Sequence, residues 1–398
     1  VAKMKKNIAL VLPAILLLIM LAACSLSNSP TNMPAQTSAV SVTAEAQHDF
    51  SKLELFKPLD DYDVYKIDID EAACPVFLSG TDLYYALASQ PDGEEEYADM
   101  YYHRLSLDSA KSVPIGIVKN GMISSDTYAM TENQLVGEWF VFEDDLFSAN
   151  IYMFGENGAI KIHELTDGTP FAFINAIDGE RFLGRIGTFR DSITKFSYHI
   201  FNKGVIGPEI VKTEFNEETF DGENIIMATD HGRIFGYLKE TVGGNATKKY
   251  LVQYDTQGNL IEKIEMPLID EFERTVEPNG QLEYIAKMQV IGDYYTFTTF
   301  SGFTMVLHRN GDQFARLETI PSNGIIFARK CDAGGGSSRV HFVNYRENKL
   351  YAIDPATSKA VAIADDILEF KDAIMDGSGN IAATDTLGAL YYLNRFGR

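Results

Sequence analysis

The residues of this chain that could do chemistry are few, and they are scattered. Asp376-Gly377-Ser378-Gly379-Asn380 places oxygen-bearing side chains at alternate positions, as a calcium loop does. It lacks the later bidentate Glu, and a hairpin turn accounts for the same residues. Cys331-Asp332-Ala333-Gly334-Gly335-Gly336-Ser337-Ser338-Arg339 is glycine-rich but lacks the Gly-Lys-Ser/Thr ending of a phosphate loop. It reads as a hairpin tip. No G-x-S-x-G elbow and no H-E-x-x-H pair occurs. Asp230 and His231 are adjacent, but a triad is a spatial arrangement, not a sequence one. His103, His199 and His308 fall within strand-like stretches, where a partly buried structural role is expected. Cys74 and Cys331 belong to no C-x-x-C pair, so neither zinc nor any other metal or cofactor is expected. They lie far apart and read as two unpaired small apolar residues. No catalytic residue is assigned, and the balance leans away from an enzyme.

The chain opens VAKMKKNIALVLPAILLLIMLAAC. Lys3, Lys5 and Lys6 make a cationic start, and an apolar run follows from Ile8 to Met20. Leu21, Ala22 and Ala23 then lead into Cys24. A positive segment, a short apolar segment and small residues in that order are the pattern of a cleaved export signal. The apolar run falls short of the roughly 20 residues of a transmembrane helix. Leu21-Ala22-Ala23-Cys24 resembles the lipobox of bacterial lipoproteins. That resemblance implies cleavage before Cys24 and acylation of its sulfur, by palmitate or a similar chain. It also implies a mature protein held by lipid on the outer side of the bacterial membrane.

Ser25 to about His48 is dominated by Ser, Thr, Ala, Pro and Asn, with no apolar periodicity. Such a segment buries too little surface to offset its ordering entropy. The expected organisation is therefore a signal peptide at 1–23, an anchor and flexible linker at 24–48, and one folded domain at 49–398. The formal charge is −22, and loss of the three leader lysines would make it −25. That acidity repels nucleic acid and anionic headgroups, so a nucleic-acid partner is not expected. Asp60-Asp61-Tyr62-Asp63 and Asp92-Gly93-Glu94-Glu95-Glu96 read as solvated loops.

From Leu53 onward the pattern is all-β: short runs of Tyr, Phe, Val, Ile and Thr divided by Gly, Asn or Asp. Only 269–274 could be helical. One unit recurs, an aromatic strand followed by Asp or Asn and a small-residue turn. It stands at 102–108, 151–158, 198–204, 250–259, 305–311, 350–355 and 390–397. Successive units start about 40 to 55 residues apart, the period of a four-stranded propeller blade. Each would be the third strand of its blade. Seven blades are expected, though six or eight also fit the spacing. The last unit leaves no room for an outer strand, so 53–56 or 64–67 is expected to close the ring.

Residues 373–385, Ala-Ile-Met-Asp-Gly-Ser-Gly-Asn-Ile-Ala-Ala-Thr-Asp, resemble one repeat of the NHL-type propellers. The likeness covers one blade and implies a propeller similar to NHL-type or TolB-like ones. Two functions suit such a head. The first is a binding or scaffold module whose face meets an envelope protein, a peptide or a glycan. The alternative is a propeller-fold hydrolase or lyase acting on an envelope or extracellular substrate. A fold hosts both classes, so it does not decide between them.

Overall fold

A computed structural model describes residues 50–395, apart from 60–61, 70–72, 90–97, 132–133, 144–145, 156–157, 166–168, 217–220, 231, 243–244, 267–268, 270–284, 300–303, 317–324, 334–336, 345–348, 355–358, 365–369 and 377–378. The signal, Cys24 and the linker lie outside the described residues. Of the 269–274 segment only Ile269 is described, and its backbone is helical.

Strands account for the rest of the architecture. β1 (Glu54–Pro58) and β2 (Tyr62–Ile67) come first. A seven-stranded sheet follows in sequence order: β3 (Ala73–Ser79), β4 (Asp82–Ala88), β5 (Ala98–Ser106), β6 (Lys111–Thr131), β7 (Gln134–Glu143), β8 (Leu146–Gly155) and β9 (Gly158–Leu165). An eight-stranded sheet comprises β10 (Thr169–Ala176), β11 (Arg181–Arg190), β12 (Ile193–Asn202), β13 (Val205–Asn216), β14 (Asp221–Asp230), β15 (Arg233–Val242), β16 (Asn245–Tyr254) and β17 (Leu260–Glu265). Two four-stranded sheets come next. One holds β18 (Ile285–Ile291), β19 (Tyr294–Thr299), β20 (Thr304–Asn310) and β21 (Gln313–Arg316). The other holds β22 (Ile325–Ala333), β23 (Ser337–Asn344), β24 (Lys349–Asp354) and β25 (Lys359–Ala364). β26 (Phe370–Met375), β27 (Ile381–Asp385) and β28 (Leu390–Arg395) complete the chain.

All the ladders are antiparallel. The long sheets differ from the uniform four-stranded units expected, for two local reasons. β6 runs on for 21 residues, pairing with β5 over Lys111–Gly121 and with β7 over Gly121–Thr131. β13 and β14 are joined by only two pairs, Phe215↔Gly222 and Asn216↔Asp221. The strands β3, β6, β10, β14, β18, β22 and β26 lie against one another in that order, and β26 returns to β3. Sheets radiating from a closed ring of inner strands define a β-propeller.

The outer strands β1, β13, β17 and β21 are exposed or half-buried at nearly every residue. β19, the second strand of its sheet, is buried at every residue, whereas the outer strand β17 is mostly exposed. Apolar residues fill the spaces between neighbouring sheets. Phe235, Tyr237 and Leu251 meet Met288, Tyr295, Phe297 and Leu307 in one such layer. The seven aromatic repeats of the sequence overlap β5, β8, β12, β16, β20, β24 and β28, each the strand before an outer one. Turns such as Gly204 (φ +77°) and Gly311 (φ +64°) use the positive φ that glycine tolerates.

Candidate functional site

The N-terminal segment closes the ring. β2 pairs with β28 from Tyr62↔Arg395 to Ile67↔Leu390, and β1 adds a fifth strand outside it. Both segments considered for closure are thus used, 64–67 in the closing strand and 53–56 beyond it. The Tyr62 hydroxyl, fully buried, donates to the Gly379 carbonyl at 3.0 Å. Phe50, the first described residue, is inserted into the seam. Its ring lies 5.7 Å from that of Tyr65 and 5.3 Å from that of Tyr392. It shares a core with Leu78, Leu83, Leu105 and Leu107 of the sheet across the seam. Burial, with Asp376, Asp108 and Tyr65 nearby, pushes the Tyr392 phenol far above its usual range. Tyr392 is therefore a neutral packing residue at any ordinary pH.

Of the acidic runs noticed in the sequence, 60–61 and 92–96 lie outside the described residues, and Tyr62 and Asp63 belong to strand β2 and not to a solvated loop, whereas Asp376 is committed to a turn. In the Asp376 turn, the Asn380 amide donates to Asp376 Oδ1 and Asn380 Nδ2 donates to Oδ2, both at 2.9 Å. Asn380 Oδ1 in turn accepts from the Arg395 amide at 2.9 Å. The same loop recurs at Asp255–Asn259, with bonds of 2.8 and 2.9 Å to Asp255. It recurs again at Asp385, which accepts from the Leu387 and Ala389 amides at 2.9 Å. The three loop glycines have φ of +87°, +86° and +86°, so one five-residue design serves three hairpins. The side-chain amide of Asn259, then its backbone N–H, holds the Asp255 carboxyl below its usual pKa. Each oxygen of these three carboxylates accepts at least one hydrogen bond within its own hairpin.

Other charged groups bind one sheet to the next. Arg309 on β20 donates to both Glu262 oxygens on β17, at 2.8 and 2.7 Å. That bidentate bond raises the guanidinium's pKa and holds the Glu262 carboxyl down. Asp230 accepts from Arg233 at 3.0 Å and from the Gly292 amide, in the next sheet, at 3.2 Å. His231 lies outside the described residues.

The histidines also take structural places. His103 stacks on Tyr85 at 5.2 Å, and His308 stacks on Tyr294 at 4.7 Å. His199 Nε2 lies 3.2 Å from Ser197 Oγ. Sequence reading missed His163 on β9. Burial, followed by the field of His199, lowers its pKa, and its Nε2 is buried with no hydrogen-bond partner among the described residues. No signal in the sequence marked it, since Lys161 and Glu164 flank it as well as Ile162.

The Cys74 sulfur lies 3.9 Å from the Pro75 carbonyl, on β3. Cys331 is on β22, in a separate sheet. Gly334, Gly335 and Gly336 join β22 to β23 and lie outside the described residues. Among the described residues no three His, Cys, Asp or Glu side chains are grouped to hold a metal ion.

What the ring of strands defines is the class, an all-β propeller. No protein-family model matches the chain, and no curated protein matches it. Among solved structures it is similar to an oligogalacturonate lyase of Vibrio parahaemolyticus, at 12% identity over 85% of this chain and 96% of that one, with a TM-score of 0.48. It is similar to the β-propeller domain of Cps50 (Swd1) of Myceliophteria thermophila, at 10% identity over 83% and 99%, TM-score 0.47. TolB of Acinetobacter baumannii shares 10% identity over 79% of each chain, TM-score 0.36. Likenesses of this size carry no functional argument.

Proposed function

We propose that this chain is a lipoprotein, anchored through acylated Cys24 on the outer side of the bacterial membrane, whose head is a seven-bladed binding or scaffold propeller. The single observation that carries the reading is the run of cationic, apolar and small residues ending at Cys24. The way the head begins supports it, since Phe50, β1 and β2 are built into the seam and its closing sheet. A head held there keeps its end faces clear for an envelope protein, a peptide or a glycan. Seven blades are supported by the short joins at which β6 could be divided, at Gly121, and the eight-stranded sheet, between β13 and β14. Each inner strand then begins one four-stranded unit, and β2 completes the last.

Metabolic labelling with palmitate tests the anchor. Wild-type protein should incorporate label and stay with the membrane after an alkaline wash, and Cys24→Ala protein should do neither. Unlabelled, soluble wild-type protein would overturn the reading.

A further inference from the structure

Strands β7 to β9 pack against β10 to β13 through an apolar layer that also holds two histidines. Ile151, Phe182 and Phe201 fill the layer, with Met153 and Ile162 packed against them. His163, opposite Ile151 in register on β9, is half-buried and meets the Phe201 ring edge-on at 6.0 Å. His199 stands two residues before Phe201 in a regular stretch of β12, so the two side chains share a face. A Cβ at Gly204 would fall 2.5 Å from Met153 Cε, so the β12–β13 turn closes on the same layer.

The two rings are bonded differently. His199 Nδ1 lies 3.3 Å from the Gly207 carbonyl, which only accepts, so this nitrogen carries the proton. Its Nε2 lies 3.2 Å from Ser197 Oγ, and a hydroxyl can donate or accept. His199 can therefore take a second proton and keep both bonds. His163 cannot, because its buried Nε2 has no hydrogen-bond partner among the described residues. A charged His163 would set a donor without an acceptor in an apolar layer, facing a charged His199.

The neighbouring charges do not offset this. On β9, Lys161 pairs with Glu164 at 2.7 Å, and at the β12–β13 turn Lys203 pairs with Glu180 at 3.6 Å. Glu209 and Lys212, on the His199 side of β13, are exposed. Glu138 on β7 is fully buried and engaged in an interaction of its own. Ile151 stands between it and His163 in register, a backbone separation of about 9–10 Å. Arg185 on β11 lies beside Tyr198, on the face turned away from this layer. β8 and β10 contribute no charged residue.

We infer that His163 and His199 form an acid-sensitive joint: when both take up protons, β9 parts from β12 and β13 while the rest of the propeller stays closed. Burial, then the field of His199, lowers the pKa of His163, so the closed joint binds protons less readily than the open one. Closure is therefore complete above the ordinary histidine value of about 6.5 and weakens as pH falls below it.

The test follows backbone hydrogen exchange of the full chain by mass spectrometry at about pH 7.5 and about pH 5, with rates corrected for the intrinsic effect of pH. Amides of β9 and of the β12–β13 turn should exchange several-fold faster in acid, reversibly, with those of β19 unchanged. In His163→Gln that rise should be lost, and in His199→Gln it should move to lower pH. No rise in β9, an equal rise in β19, or a rise that either variant leaves unmoved overturns the joint. Exchange at the ring C2 position in wild-type protein decides the matter where a variant does not fold. His163 should then titrate below the ordinary histidine range, and ordinary titration overturns the joint.

Discussion

Replacing Phe50 by Ala should loosen the ring at its seam. An aromatic side chain buries about 150–250 Å², worth about 4–6 kcal/mol at about 25 cal/mol per Å². An extended-chain reference overstates that area by about 10–40%, which brings the figure to about 3 kcal/mol. Phe50 is 7% exposed, so nearly all of its side chain counts. Phe56, on the neighbouring edge strand, is 49% exposed and meets Tyr391 edge-on at 5.3 Å. Phe56→Ala should cost about 1 kcal/mol, because roughly half of its area is already in water. Hydrogen exchange distinguishes a local effect from a global one. In Phe50→Ala the amides of β2 and β28 should exchange about 100-fold faster, the equivalent of about 3 kcal/mol, if they open as one unit. Those of β19, remote from the seam, should change far less. A loss under about 1 kcal/mol, or acceleration equal in β19 and β28, would refute the role given to Phe50.

Three further outcomes are expected. Gly184→Ala should cost about 1–3 kcal/mol in chemical denaturation, because its Cβ would sit 2.5 Å from Phe201 Cε2 in a fully packed layer. Glu262→Gln should lower stability at neutral pH by about 1 kcal/mol, given the partial exposure of the Arg309 pair. Because folding holds the Glu262 carboxyl down, that contribution is present above the unfolded carboxyl pKa and is lost as pH falls through the folded one. Wild type and Glu262→Gln should therefore converge in acid, as melting curves across pH will show. The pKa of His163 is lowered by folding, so the unfolded chain binds the proton more readily. Stability is full above the unfolded value of about 6.5 and falls below it, and His163→Gln should flatten that slope.

Much of the fold was legible because its signal is local. An aromatic strand followed by a small-residue turn depends on adjacent residues only, and 102–108 or 250–259 show it without reference to the rest of the chain. The Asp376 loop was legible for the same reason, since its hydrogen bonds close within five residues. The fused sheets were not. Asn120-Gly121 and Ser124-Ser125-Asp126 are turn-type residues, so a strand that pairs with β5 and then with β7 reads like two strands and a turn. Partnerships across the ring were also hidden. Glu262 meets Arg309 from 47 residues away, and Tyr62 meets Gly379 from 317, separations at which one sequence carries no register.

The seam joins these observations into one mechanical argument. Any pull transmitted from residues before Phe50 reaches the head at the sheet that closes the ring. That sheet is where the first described strands meet the last, so loss of β2 would leave β28 as a sheet edge. The structure meets this load with features in series. Phe50 is wedged between Tyr65 and Tyr392, and β1 lies outside β2. Tyr62 is bonded to the Gly379 turn, and that turn's Asn380 is bonded to the Arg395 amide. A pull that frees Phe50 therefore still has the six residue pairs of β2 and β28 to separate before the propeller opens.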